Sequence, residues 1–345
     1  MERTVLQYLH TKYKENSLYG KWIRHEQITP LLEEKKASFQ IENIGSSEEG
    51  RSIHSLRFGN GPMKVLIWTQ MHGNESTGTK AVFDLINTLA SDHELSQVVK
   101  QACTLQIIPM LNPDGAERYT RVNANEVDLN RDAVAVSAKE SKVLRKVLDD
   151  FQPKFCFNMH DQRTIFGVEG TTNPATLSFL APSEEVTKQL TKGRKETMNV
   201  IVAMNAVVQH FIPNHVGRYT DEFYPTATGD NFQKMGYNTI LIESGHYPKD
   251  YVREKSREFT FYALLSGLHH IATSKEFSDY EPYFDIPNNN KDFLDVIHRF
   301  SNKADEGYQY VDEILENQLV SRLVKEEIFD VSDKIGHFEI VFDNE

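Results

Sequence analysis

The chain has 345 residues, 39% of them hydrophobic and 26% charged, and carries a formal net charge of -12. This length can bury a large core, and the composition is that of an ordinary globular protein. The acidic balance argues against nucleic acid as a partner, and no apolar run is long enough to cross a bilayer, which argues against membrane insertion.

Taken in order, residues 1–38 read as helical and charged, with Pro30 expected as an internal break. The segments 38–45 and 50–59 alternate apolar with polar residues around the turn-prone Gly45–Gly50, the pattern of a β-hairpin with one solvated face. Short apolar runs then recur at Val65–Trp68, Leu105–Leu111, Phe155–Phe157 and Thr239–Ile242, as expected for strands buried on both faces. Helical patterns lie between them: Val82, Leu85, Ile86 and Leu89 share one face, as do Val143, Leu144, Val147, Leu148 and Phe151. A further helix is expected after Pro182, with Ser183 as its cap and Glu184 and Glu185 in its first turn, and another over 250–272. Residues 281–290 read as a linker and 291–345 as a polar segment. The expected division is therefore a main unit over 1–275 and a small extension of unassigned role over 276–345. Cys103 and Cys156 each sit inside an apolar run and are expected as reduced core thiols. With the absence of a signal-peptide pattern at Met1–His10, they point to the cytoplasm.

Strands alternating with helices imply an α/β fold with a mixed, mostly parallel central sheet flanked by helices. In such sheets, sites form beyond the carboxyl ends of the strands. Each apolar run ends in chemically capable residues: His72 and Glu75, then Asn112-Pro-Asp-Gly115, then His160, then Glu243. Two imidazoles and a carboxylate are ligand types that suit zinc. His72 and Glu75, three residues apart, reach one ion if the backbone turns between them, and Gly73 and Asn74 tolerate the conformations of such a turn.

Set together in chain order, His72-x-x-Glu75, Asn112-Pro-Asp-Gly115, Arg121, Asp128-Leu-Asn-Arg131, His160, Tyr224 and Glu243 resemble the zinc metallocarboxypeptidases of the carboxypeptidase A-like family. The likeness runs over roughly residues 38–272 and includes Ile44–Ile53. It implies one zinc per chain, held by His72, Glu75 and His160 with a fourth position open. It further implies Glu243 as general base, Arg121 as the cation facing the developing oxyanion, and Asp128 as the carboxylate orienting a liganding imidazole, His72. Asn130 and Arg131 match the pair that grips a terminal carboxylate, and Tyr224 the tyrosine that closes over substrate, with Tyr219 as competitor for that role. Gly229 matches the floor of the side-chain pocket, and Asn74 stands where pancreatic-type relatives carry an Arg. Glu243-x-x-His246 repeats the ligand spacing in reverse, but the family places its base there. Asp161, Gln162 and Arg163 follow a ligand and can line the crevice.

The leading expectation is a carboxypeptidase acting on short peptides with a free carboxyl terminus. Two others stand beside it. A zinc amidohydrolase of the aspartoacylase and succinylglutamate desuccinylase kind would take an N-acyl amino acid, also through its free carboxylate. A protein on the same fold could also bind zinc without catalysis.

Overall fold

A computed structural model describes residues 1–327 and 330–342. Helices α1 (Arg3–Tyr13) and α2 (His25–Glu34) precede the hairpin β1 (Gln40–Ser46) and β2 (Ser52–Phe58). Then follow β3 (Met63–Trp68), α3 (Thr77–Leu89), α4 (Glu94–Ala102), β4 (Cys103–Ile108), α5 (Pro113–Arg118), α6 (Lys139–Phe151) and β5 (Phe155–Asp161). The main unit continues through β6 (Gly167–Val168), β7 (Leu177–Leu180), α7 (Lys192–Val208), β8 (Val216–Arg218), α8 (Thr228–Lys234), β9 (Asn238–Ser244) and α9 (Glu254–Thr273). Last come β10 (Asn289–Asn290), β11 (Phe293–Phe300), β12 (Glu306–Leu315), β13 (Gln318–Lys325) and β14 (Ile335–Phe342).

The central sheet has the order β1-β2-β4-β3-β5-β9-β7-β8. β4, β3, β5 and β9 run parallel, as the buried apolar runs require. Residue alternation sorts their side chains into two layers. Val65 and Ile67 of β3 join the core formed with α3, α4, α7 and α9, whereas Leu66 and Trp68 join the core under α6. Cys103 and Cys156 fall into opposite layers and are free, buried thiols, as expected.

Three expectations are corrected. Pro30 lies inside α2 instead of breaking it; it is exposed, and so is Glu26, whose carbonyl loses the helical bond and faces water. The helix expected after Pro182 begins only at Lys192, capped by Thr191. The intervening loop is used by Arg194, whose buried guanidinium takes the carbonyls of Ala181 and Lys188 and the Asp221 carboxylate. Ser183 donates to the Asp221 carbonyl instead of capping. Residues 281–290 do not form a free linker. Tyr283 and Ile286 are buried in the main core, and β10 pairs with β6. Beyond them the polar segment forms a second sheet, β13-β12-β11-β14, over a small core of Leu294, Ile297 and Val331. The segment expected over 291–345 also includes 328–329 and 343–345, which lie outside the described residues.

α3 is buried almost all round, because α1 and α9 pack on the side its amphipathic pattern leaves polar. Its charged residues must therefore be paired. Asp84 takes both arms of the Arg257 guanidinium, at 2.6 and 2.8 Å, and Arg257 also donates to the carbonyls of Glu15 and Leu18. Lys80, fully buried, meets Glu254 at 2.7 Å, and Lys14 meets the same carboxylate at 2.8 Å. The N-terminal segment is thus pinned to α3 and α9 by shared charges.

Burial pushes the Glu254 carboxyl up, but Lys80 and Lys14 outweigh this and hold it at about 2, below its ordinary 4.5. A carboxyl depressed on folding stabilises the fold above its ordinary value, and loses that effect as pH falls toward the folded value. Glu254→Gln is expected to cost about 3 kcal/mol at neutral pH, since Lys80 is left buried without its carboxylate. Urea unfolding followed across pH should show the gap to wild type closing below about pH 4. A gap independent of pH would contradict the assignment.

Candidate active site

β3 stops at Trp68, and the chain turns through Thr69–Glu75 before α3 begins at Thr77. The left-handed residue of this turn is Gln70, at φ 49°. Its side chain holds the conformation, donating to the carbonyls of Gly73 (2.8 Å) and Ile23 (3.0 Å) and accepting from the Thr79 hydroxyl at 2.7 Å. Gly73 is needed for a different reason from the one its turn propensity suggests. A Cβ there would stand 1.9 Å from the carbonyl carbon of Gly115, so only glycine lets the two loops touch.

The Asn112–Gly115 stretch starts α5 and works as scaffold. Asn112 accepts from the Gly115 N–H at 2.9 Å and donates to the Met71 carbonyl at 3.2 Å, beside His72. Buried Asp114 accepts from Ser47 at 2.7 Å and Arg51 at 2.6 Å. The hairpin motif around Gly45–Ile53 is therefore tied to the loop that carries the first two candidate ligands.

At the end of β3 and β5, His72 Nδ1 lies 2.8 Å from Glu75 Oε1, and His160 Nδ1 lies 2.8 Å from Glu75 Oε2. The two Nδ1 atoms face each other at 3.2 Å. Among the described residues, these three form the one group of His, Cys, Asp or Glu able to share a metal ion, with ligand atoms within 4.8 Å of one another. Two imidazole nitrogens converging across a carboxylate leave their lone pairs pointed at a common point, which a cation satisfies, and the donor set is one zinc accepts. Burial pushes His160 below the ordinary histidine value, which keeps it in the neutral form that binds metal. Burial also acts to lower His72, but Glu75 and Asp128 outweigh it and raise it. Glu75 itself is pushed up by burial, yet the two imidazoles hold it well below the carboxylate range.

Asp128 sits behind His72. Its Oδ1 lies 3.1 Å from His72 Nε2 and accepts from the Asn130 N–H, while Oδ2 accepts from Arg121 Nε at 2.9 Å. Burial would raise this carboxyl, but His72 and Arg121 keep it low. The half-exposed guanidinium of Arg121 reaches across to 3.3 Å from His72 Nδ1 and 3.5 Å from Glu75.

Glu243 lies on β9 directly opposite His160 in the parallel register, so both project to the same side of the sheet. Its carboxylate lines the cavity and makes no hydrogen bond or ion pair among the described residues. Burial, then the Glu75 and Asp161 charges, pushes it well above the ordinary value. Asn130, Arg131 and Tyr224 line the same cavity. Asn130 Oδ1 accepts from the Thr228 N–H at 3.0 Å, tying this turn to α8. Arg131 rests over the Tyr224 ring at 5.4 Å and has no carboxylate partner among the described residues. Tyr219 lies deeper, raised by burial and by Glu243 and Glu75, while Tyr224 stays half-exposed beside Arg131. Gly229 packs where a Cβ would meet Pro182 at 3.4 Å, and it is Asp230 that lines the cavity, pushed up to about 6 by burial.

His246 is not part of the metal group. Its ring is buried against His337 at 4.2 Å and Tyr251 at 4.7 Å, and burial pushes it down to about 2. Asp161 takes the Thr77 N–H and hydroxyl, so it caps α3, and burial raises its carboxyl to about 6. Two contributors had no sequence signal. Arg253 spans from β9 to the residue after β5, donating to the carbonyls of Ser244 (2.6 Å) and Gln162 (2.7 Å), and the second sheet supplies part of the cavity wall.

A family model described as zinc carboxypeptidase matches residues 25–208, just over half of the chain. Carboxypeptidase 2 of Trichophyton tonsurans is 27% identical over 118 residues, 34% of this chain and 20% of the relative. A carboxypeptidase of Arabidopsis thaliana is 27% identical over 137 residues, 35% of this chain and 28% of the relative. The chain thus spans well under a third of these curated relatives' length. Among solved structures, a metallo-carboxypeptidase from Burkholderia cenocepacia superposes with a TM-score of 0.59 at 20% identity, covering 72% of this chain and 69% of that one. Carboxypeptidase A from Helicoverpa armigera gives 0.58 at 17% identity, covering 79% and 81%. Both share the fold: a central, mostly parallel sheet flanked by helices.

If Asp128 holds His72 in its liganding orientation, Asp128→Ala should lower zinc affinity roughly 10–100-fold. Competition with a chromophoric chelator measures this, and an unchanged affinity would remove Asp128 from the site.

Proposed function

The chain belongs to the zinc carboxypeptidase family, and from that premise we propose that it is a zinc-dependent hydrolase that removes the carboxyl-terminal residue from short peptides. One observation carries the reading. A single cavity holds the His72–Glu75–His160 group together with Glu243, a carboxylate that makes no hydrogen bond or ion pair among the described residues, and Arg131, a guanidinium that forms no ion pair among them.

His72, Glu75 and His160 would hold the ion. Zinc, when bound there, supplies a Lewis acid that polarises a carbonyl and makes water easier to deprotonate. Arg131 presents a planar fork that matches a terminal carboxylate with two parallel bonds, and Asn130 keeps its amide N–H groups for the same anion. Tyr224, lying against Arg131, covers the bound carboxyl end. This grip sets the scissile carbonyl beside the metal group, so that positioning contributes to the rate. Arg121 donates toward the oxygen that gains negative charge; Asp128 fixes its Nε, leaving Nη1 directed at the centre. Glu243 takes the proton of the attacking water and returns it to the leaving amine. Its raised proton affinity, caused by burial and by the Glu75 and Asp161 charges, suits a group that must both accept and give a proton. A reducing compartment such as the cytoplasm suits the two unpaired, buried thiols.

Glu243→Gln tests the reading. The variant should retain zinc, measured by elemental analysis, and lose roughly 10²–10⁴-fold in kcat on a dipeptide. Full activity in a zinc-loaded variant would rule out Glu243 as the base.

A further inference from the structure

The cavity has a volume of about 580 Å³, within the roughly 300–1,000 Å³ of pockets that take small molecules. Part of its wall comes from the far end of the chain: Asp295 of β11 and Gln309, Tyr310 and Asp312 of β12 all line it. This wall is fastened to the main unit by specific bonds. Asp312 pairs with Lys21 and accepts from the Tyr119 hydroxyl at 3.3 Å. Asp295, fully buried, accepts from the Tyr251 hydroxyl at 3.0 Å and from the Tyr310 N–H at 2.8 Å. His337 of β14 lies 2.8 Å from the Thr164 carbonyl and stacks on Phe293 at 4.7 Å. These bonds, with Asp295 buried and partnered on both carboxylate oxygens, seat the second sheet on the cleft in a defined position.

The wall stands apart from the carboxylate grip. Among the described residues, Asn130, Arg131, Tyr224 and Asp230 share no hydrogen bond, ion pair or ring contact with Lys21, Tyr119, Tyr251 or the residues of β11 and β12. Toward the centre, Arg253 and Asp161 act on both Tyr119 and Glu243. With the carboxylate gripped by Arg131 and the scissile carbonyl at His72, Glu75 and His160, the wall is a part of the cavity lining that makes no contact with the grip, and we take the residues ahead of the scissile bond to run toward it.

We propose that the carboxyl-terminal sheet forms the acyl-side wall of the cleft and limits substrates to one or two residues ahead of the scissile bond. This rests on the carboxypeptidase reading and adds to it a substrate class: peptides of dipeptide to tripeptide size. An extended chain advances about 3.3–3.6 Å per residue, so a longer peptide drives its amino-terminal part into Tyr310 and the Lys21–Asp312 pair.

The test is a series of free peptides lengthening from dipeptide to decapeptide with a common carboxyl-terminal pair, run beside N-acyl amino acids of increasing acyl length. For the wild-type, zinc-loaded chain, kcat/KM should fall at least about tenfold between tripeptide and hexapeptide. Equal rates at all lengths would overturn the wall while leaving the carboxypeptidase reading in place. Tyr310→Ala keeps the backbone bond to Asp295 and should raise the hexapeptide-to-tripeptide ratio about fivefold or more. An unchanged ratio would overturn the assignment of Tyr310. If that variant does not fold, Lys21→Ala opens the same wall from the other side and is read by the same ratio. Turnover of N-acyl amino acids with no peptide cleaved would sink the carboxypeptidase reading, and the cut-off in acyl length would then decide the wall.

Discussion

The parallel pairing of β3, β5 and β9 is the constraint on which the site depends. In this register Trp68 stands beside Asn158, and His160 beside Glu243, so the strands reach one edge of the sheet together. A one-residue slip would turn every side chain of the slipped strand to the opposite face. The apolar residues between these points prevent that slip: β3 and β5 feed alternate side chains into two separate cores, and β9 sends Ile240 and Ile242 into the core that α3 and α9 cover. Packing on both faces thus sets the position of polar groups that themselves contribute little to the core.

Burying so much of the chain around that sheet forces its charges into pairs. α3, which starts right after Glu75, is packed between the central sheet and helices α1 and α9, and its Lys80 and Asp84 are neutralised by Glu254 and Arg257 of α9. The same groups bind the backbone of the N-terminal segment. This segment in turn reaches the site loop, since the Ile23 carbonyl accepts from Gln70 and the Lys21 carbonyl from Ser76. A region that reads only as charged helix therefore contributes to holding His72 and Glu75 in place, and through Lys21 it also meets the second sheet.

Much of the fold was legible because burial on both faces leaves a strong signature: four apolar runs, each ending in reactive residues. The candidate ligands were legible through the resemblance, and the structure brings His72, Glu75 and His160 together. What failed were local rules overruled by tertiary contacts. Ser183 has the right chemistry for a cap, but buried Arg194 draws the loop into other bonds. Gly73 was expected for its freedom of conformation and is needed for its missing Cβ. The wall from β11 and β12 had no signature at all. Asp295, Gln309 and Asp312 are ordinary residues in a polar stretch, and their bearing on the cavity arises only from long-range packing.

One cleft brings together the His72–Glu75–His160 group, the Asn130–Arg131 turn and a wall borrowed from β11 and β12. On the proposed reading, what the protein recognises is a free carboxyl terminus. The most direct measurement follows one tripeptide, free and carboxyl-amidated, by mass spectrometry with the zinc-loaded protein, with and without chelator. The free peptide should lose its last residue, the amidated one should be left nearly intact, and chelator should stop the reaction. Equal cleavage of both forms, or cleavage unaffected by chelator, would contradict this reading.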